Sequence, residues 1–119
     1  MTRAVVTGAA GFVGGALVRR LVADGVNVVA TDVRDAALPV ETRRVDITDA
    51  DAVAQLLGGA DVVYHAASMV QTSWTHLDRL RAVNVGGTEN LLRAAAAADV
   101  ARFVYVSSAS VVYEGRDIH

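Results

Sequence analysis

The sequence predicts an α/β fold, a doubly wound parallel sheet in three α/β/α layers. Three observations predict it: an apolar run that breaks into a helix through three glycines, a second apolar run closed by an acid, and strand-like segments alternating with helix-like ones thereafter. Ala4-Val5-Val6 reads as a buried first strand, followed directly by Thr7-Gly8-Ala9-Ala10-Gly11-Phe12-Val13-Gly14. Phe12, Val13, Ala16, Leu17 and Leu21 recur at helical intervals with Arg19 and Arg20 off the stripe, which predicts an amphipathic helix over 11–23 stopped by Asp24-Gly25. A second strand over 27–31 ends in Asp32. The stretch 36–39 is a loop, and 42–45 a short third strand that leads into Asp46-Ile47-Thr48-Asp49. Thr48 or Asp49 caps a helix that runs to about Leu57 and is closed by Gly58-Gly59. The fourth strand covers 61–65. A long helix is expected over about 75–98, weakened at Gly86-Gly87, where each glycine costs about 1 kcal/mol unless close packing requires it. The fifth strand covers 102–106 and runs into Ser107-Ser108-Ala109-Ser110.

The glycines suggest what the first turn holds. A sharp strand-to-helix turn with no Cβ at Gly8 or Gly11 lets a pyrophosphate approach the backbone, and the N–H groups at the start of the helix then face the phosphates. Asp32 lies 18 residues beyond Gly14, where an acid accepts hydrogen bonds from the adenosine ribose. A carboxylate about 4 Å from a 2′-phosphate would repel it by roughly 4 kcal/mol per unit charge at an effective dielectric near 20. NAD is therefore expected ahead of NADP, although Arg34 could soften the repulsion. In a parallel sheet ligands bind at the carboxyl ends of the strands. Gly8, Asp32, Asp46, His65, Ser107 and Ser108 each follow a strand, so the sequence draws one continuous site.

Composition narrows the function classes. With 119 residues, 53% apolar, the chain is expected to be one domain that buries roughly two-thirds of its unfolded surface. A net charge of −2 with no basic block argues against a nucleic-acid surface. No cysteine means no disulfide, thiolate metal site or cysteine nucleophile, and three histidines without paired spacing make no metal site. No apolar run reaches the roughly 18 residues of a membrane span, and a cytoplasmic location is expected. All 11 basic residues are arginine.

Five motifs in order give the chain its resemblance: the glycine octet at 7–14, Asp46-Ile47-Thr48-Asp49, His65-Ala66-Ala67, Asn84-Val85-Gly86-Gly87-Thr88 and Ser107-Ser108-Ala109-Ser110. The chain resembles the amino-terminal portion of the extended short-chain dehydrogenase/reductases, the group of NAD-dependent sugar-nucleotide epimerases, dehydratases and 3β-hydroxysteroid dehydrogenases. The resemblance implies a Rossmann-type sheet that binds NAD through Gly8, Gly11, Phe12, Val13, Gly14, Asp32 and Arg34. It places Asp46 and Ile47 at the adenine and Ala66 and Ala67 on the phosphate-ribose side. Asn84 would support the cofactor and a proton-relay water, and Ser108 would be the catalytic serine on the substrate oxygen. It also implies a small-molecule substrate and a homodimer in the intact protein, with Leu77, Leu80, Leu91 and Leu92 on the helix that associates. The tail Ser107-Ser108-Ala109-Ser110-Val111-Val112-Tyr113 displaces the tyrosine by one from the sugar-nucleotide pattern and is similar to the 3β-hydroxysteroid and sterol-4-carboxylate dehydrogenase branch.

One departure bears on activity. The family's acid/base is a tyrosine whose pKa is lowered by a lysine four residues on, and this chain has no lysine. Tyr113 is followed at that spacing by Asp117, whose charge would raise a phenol pKa. The chain is thus expected to be a fragment that holds cofactor and presents Ser108, with the remaining sheet, the Tyr-x-x-x-Lys helix and the substrate lobe elsewhere. A non-catalytic dinucleotide sensor is the reading from another class. His65 reads as a structural imidazole ahead of a catalytic one, and Asn84 reads equally as a backbone partner within its helix. Met69, Val70 and Trp74 read equally as cleft lining or as packing.

Overall fold

The computed structural model describes residues 2–67 and 77–106. Five parallel strands form one sheet in the order β3-β2-β1-β4-β5: β1 (Arg3–Thr7), β2 (Asn27–Asp32), β3 (Thr42–Arg44), β4 (Val62–His65) and β5 (Arg102–Tyr105). The helices are α1 (Phe12–Ala23), α2 (Ala50–Leu57), α3 (Leu77–Arg81) and α4 (Thr88–Ala97), with a π-helical turn over Ala82–Gly87 joining α3 to α4. The central strand is covered on both faces, and Ala4, Val5, Val6 and Thr7 have no exposed surface, which is why the run is apolar without alternation. Register sorts the side chains. Val5 lies between Val29 and Val63 and packs with them under α2 and α4, against Val53, Leu57 and Leu91. Val6 lies beside Ala30 and shares the opposite face with Val18 of α1. These are the expected three layers. Asp49 caps α2, its carboxylate accepting from the Ala52 N–H at 3.1 Å.

The structure corrects the apolar stripe assigned to the first helix. Phe12 is 93% exposed and Val13 50%, and Ala16 is exposed as well; the buried positions are Gly14, Gly15 and Val18, flanked by the half-buried Leu17, Leu21 and Val22. A Cβ at Gly14 would overlap the Gly8 carbonyl, and one at Gly15 would lie 3.2 Å from the Ala9 oxygen. The helix therefore docks on its glycines. A stripe drawn from bulky residues misses a face defined by their absence.

The long helix is also revised. Residues 75–76 lie outside the described residues, α3 is short, and the helix widens into the π turn before α4 begins at Thr88. Only one of the paired glycines is needed for packing: a Cβ at Gly87 would fall 2.5 Å from the Ile47 side chain, whereas one at Gly86 would meet open space. The third strand ends one residue earlier than expected, at Arg44.

Candidate functional site

From β1 the chain proceeds outward to β2 and β3 on one side and to β4 and β5 on the other, so the crossovers diverge between β1 and β4. A cleft of about 510 Å³ opens at that point, at the carboxyl edge of the sheet. Gly8 and Gly11 enter it from the first loop, Asp32 and Arg34 from the end of β2, Asp46 and Ile47 from the segment after β3, and Ala66 and Ala67 from the end of β4. The structure thus brings eight of the sequence-predicted residues together.

Of the two glycines that line the cleft, Gly8 is the tighter. Its φ of +67° favours glycine, and a Cβ there would lie 2.6 Å from the Ala67 nitrogen and 2.7 Å from the Ala66 carbonyl. The loop that follows is fully tied: the Ala9 N–H donates to the Thr31 carbonyl at 3.1 Å, Ala10 to the Asp32 carboxylate at 2.9 Å, and Gly11 to the Gly8 carbonyl at 3.0 Å. α1 then starts from Gly11 with no side-chain cap and no acid in its first turn. An uncapped helix start carries partial positive charge on its N–H groups, which suits an anion.

Asp32 is 8% exposed. Its carboxylate accepts the Ala10 N–H on one oxygen and the Arg34 N–H, at 3.0 Å, on the other, with the Arg34 guanidinium 3.5 Å away. Each oxygen keeps a lone pair for a further donor. Asp46 is held by the Thr48 N–H at 2.9 Å and hydroxyl at 2.7 Å, and by Arg79 at 3.3 Å. The Thr48 backbone bond, with the hydroxyl and Arg79 behind it, holds the Asp46 carboxyl below the usual carboxylate range. Ile47 is buried, and its carbonyl accepts from Asn90 at 2.9 Å.

His65 has no exposed surface. Its Nδ1 lies 2.7 Å from the Thr7 hydroxyl and its Nε2 2.8 Å from that of Thr88. The Thr7 oxygen accepts the N–H groups of Ala66 and Ala67 at 3.1 Å, and Thr88 donates to the Asn84 carbonyl at 2.8 Å. One proton arrangement satisfies all of these bonds: Thr7 donates to Nδ1, and the Nε2–H of a neutral ring donates to Thr88. Burial lowers the His65 pKa to about 4.

Other expected positions stand apart from the cleft lining. The Phe12 and Val13 side chains are exposed, Gly14 packs on Gly8, and Asn84 lies in the π turn. Ser107, Ser108, Met69, Val70, Trp74 and Tyr113 lie outside the described residues. Sequence reasoning missed Arg79 and Val83, which line the cleft from α3 and the π turn, and Val33 and Val45, which flank the two acids. Arg79 had no spacing signal, because its place depends on how α3 docks. Thr7 and Thr31, buried near the ends of β1 and β2, line the cleft as well and were not singled out in the sequence. Among the described residues, no group of three metal-ligating side chains lies together, and no helix is long and apolar enough to cross a membrane.

Residues 4–118 match the NAD dependent epimerase/dehydratase family. The chain belongs to that family. It is 46% identical, over 98% of its length, to a 3 beta-hydroxysteroid dehydrogenase/Delta 5→4-isomerase of Mycobacterium tuberculosis, and 37% identical to a 3-beta-hydroxysteroid dehydrogenase of Mycolicibacterium neoaurum. It spans 34% of the length of each of these relatives. Among solved structures, a short-chain dehydrogenase/reductase superfamily protein from Agrobacterium tumefaciens with bound NAD superposes with a TM-score of 0.89 at 38% identity, over 96% of this chain and 35% of that one. MoeE5 in complex with UDP-glucuronic acid and NAD superposes at 0.82 with 36% identity, over 98% of this chain and 40% of the other. The five-stranded parallel sheet is thus the Rossmann-like sheet of this epimerase/dehydratase family.

Proposed function

We propose that the chain is the NAD-binding part of an oxidoreductase that moves a hydride between NAD and a secondary alcohol or ketone of the 3β-hydroxysteroid kind. The observation that carries the cofactor reading is the cleft itself: a glycine turn with no room for a Cβ, an uncapped helix start and a buried acid at the end of β2 meet at one strand crossover. The steroid reading is supported by the 46% identity to the mycobacterial enzyme. Bound NAD supplies the hydride acceptor. In this reading Gly8, Gly11 and Gly14, with the backbone of Phe12 and Val13, accommodate the pyrophosphate, and Asp32 and Arg34 bind the adenosine ribose. Asp46 and Ile47 lie at the adenine, Ala66 and Ala67 on the phosphate-ribose side, and Asn84 supports a relay water. Ser108 hydrogen-bonds the substrate oxygen, and the lysine-paired tyrosine that serves as acid/base in the resembled enzymes is not among these 119 residues, which hold no lysine.

The test is turnover by the full-length protein. NAD reduction with a 3β-hydroxysteroid is the expected result, and Ser108→Ala is expected to lower turnover about 100-fold or more while leaving NAD affinity nearly unchanged, since the contact matters in the transition state. Unchanged activity in Ser108→Ala refutes its role. Conversion of a UDP-sugar with no steroid oxidation supports the second reading, a sugar-nucleotide enzyme, which the likeness to MoeE5 favours. NAD binding without turnover of either substrate supports a sensor.

Cofactor choice gives a separate prediction. Calorimetric titration of the full-length protein is expected to show tighter binding of NAD than of NADP, and Asp32→Ala is expected to narrow the gap by removing the repulsion toward a 2′-phosphate. The same variant releases the Ala10 N–H, so NAD itself also binds less tightly. Equal binding of the two cofactors by the unmutated protein would contradict the assignment of Asp32.

A further inference from the structure

Among the described residues, the His65 imidazole is the buried titratable group at the site that the proposed chemistry does not use, and its two nitrogens reach in opposite directions. Through Thr7 it meets the end of β1, where Gly8 follows directly, and the Ala66–Ala67 turn, whose two N–H groups the Thr7 oxygen accepts. Through Thr88 it meets the first residue of α4, and through Thr88 the Asn84 carbonyl inside the π turn. Thr7 and His65 are paired across the β1–β4 ladder, so strand register fixes the first link. The second link crosses from sheet to helix and depends on side chains alone.

We propose that His65 is a positioning residue for the cofactor cleft: its neutral ring, accepting from Thr7 and donating to Thr88, sets the π turn that carries Asn84 in place against the Ala66–Ala67 turn. The bonding is directional. Both lone pairs of the Thr7 oxygen are taken by backbone N–H groups, so Thr7 cannot accept from a protonated Nδ1, and the relay from Ala66 to Asn84 holds only while the ring is neutral. Among the described residues, the groups that face the ring are Thr7 from β1, Thr88 from α4, and Phe103 and Tyr105 from β5, with ring centroids 6.2 Å and 5.4 Å away; none of these carries charge in the acid range.

The proposal rests on NAD binding at this cleft, and the full-length protein tests both. Thr88→Val keeps the shape of the side chain and leaves the Nε2–H buried without an acceptor, whereas Thr88→Ser restores the hydroxyl. Thr88→Val is expected to weaken NAD binding about tenfold, by calorimetric titration at neutral pH, and Thr88→Ser is expected to recover most of it. NAD affinity of the unmutated protein is expected to hold as pH falls toward 4 and to drop as pH passes through that value, where the folded ring takes its proton. His65→Gln, which retains a donor toward Thr88 and gains no proton, is expected to flatten that limb. The proposal is overturned if Thr88→Val binds NAD as tightly as the unmutated protein and differs only in thermal stability, or if the acid limb persists in His65→Gln. Failure of the unmutated protein to bind NAD at any pH would instead overturn the cofactor reading.

Discussion

Replacing Gly8 with alanine is expected to abolish useful NAD binding in the full-length protein, with affinity down about 100-fold or more and folding stability down by about 3 kcal/mol. Two costs combine. A φ of +67° strains any residue with a Cβ by about 1–2 kcal/mol, and the new methyl would sit 2.6–2.7 Å from backbone atoms of Ala66 and Ala67, which cannot swing aside as a flexible side chain could. The β1 and β4 loops must separate, and the cleft between them loses its shape. Gly58→Ala is the control, since a Cβ there meets only the Gln55 carbonyl at an ordinary 3.6 Å and lies at the far end of α2. Calorimetry and urea unfolding of both variants make the comparison. Near-normal NAD affinity in Gly8→Ala would remove the close approach of these loops from the account of the site.

Acid is expected to unfold the protein in two separable steps of linkage. The His65 pKa is depressed to about 4 in the fold against about 6.5 in the unfolded chain, so below pH 6.5 the unfolded state binds the proton that the folded state refuses. The stability that a neutral His65 confers is complete above pH 6.5 and is lost as pH falls toward 4, by about 3 kcal/mol over the window. Asp46 acts lower down: its carboxyl is held below 3.8, so its contribution is present above that value and fades only as pH falls through its folded pKa. Urea unfolding at a series of pH values is expected to show a slope between 6.5 and 4 that is absent in His65→Gln. An equal slope in that variant would assign the acid sensitivity to other groups.

The sheet was legible because β1, β2 and β4 are short apolar runs closed by Gly8, Asp32 and His65, the signature of strands buried on both faces, whereas the edge strand β3, Thr42-Arg43-Arg44, carries no such run. The cleft followed from the same residues, since strand ends collect at one edge. What escaped depended on tertiary docking. Phe12 and Val13 read as core because hydrophobicity is counted from side chains, while α1 rests on Gly14 and Gly15, where backbone meets backbone. The π turn was signalled only as a weakness at Gly86-Gly87, and the Ile47 side chain that leaves no room for a Cβ at Gly87 comes from another part of the chain. Arg79 became visible only when its distance to Asp46 was known.

The bond from the Ala10 N–H to the Asp32 carboxylate has a consequence for anyone wishing to redesign the protein for a phosphorylated cofactor. Exchanging this acid for a small apolar residue would remove the repulsion but also unhook the first loop, because one side chain both selects the ribose and holds the turn above it. Redesign is therefore a two-part problem: a replacement such as Asp32→Asn or Asp32→Ser would have to keep an acceptor within reach of Ala10, while the Arg34 guanidinium, released from its carboxylate partner, is already in place to greet the extra phosphate.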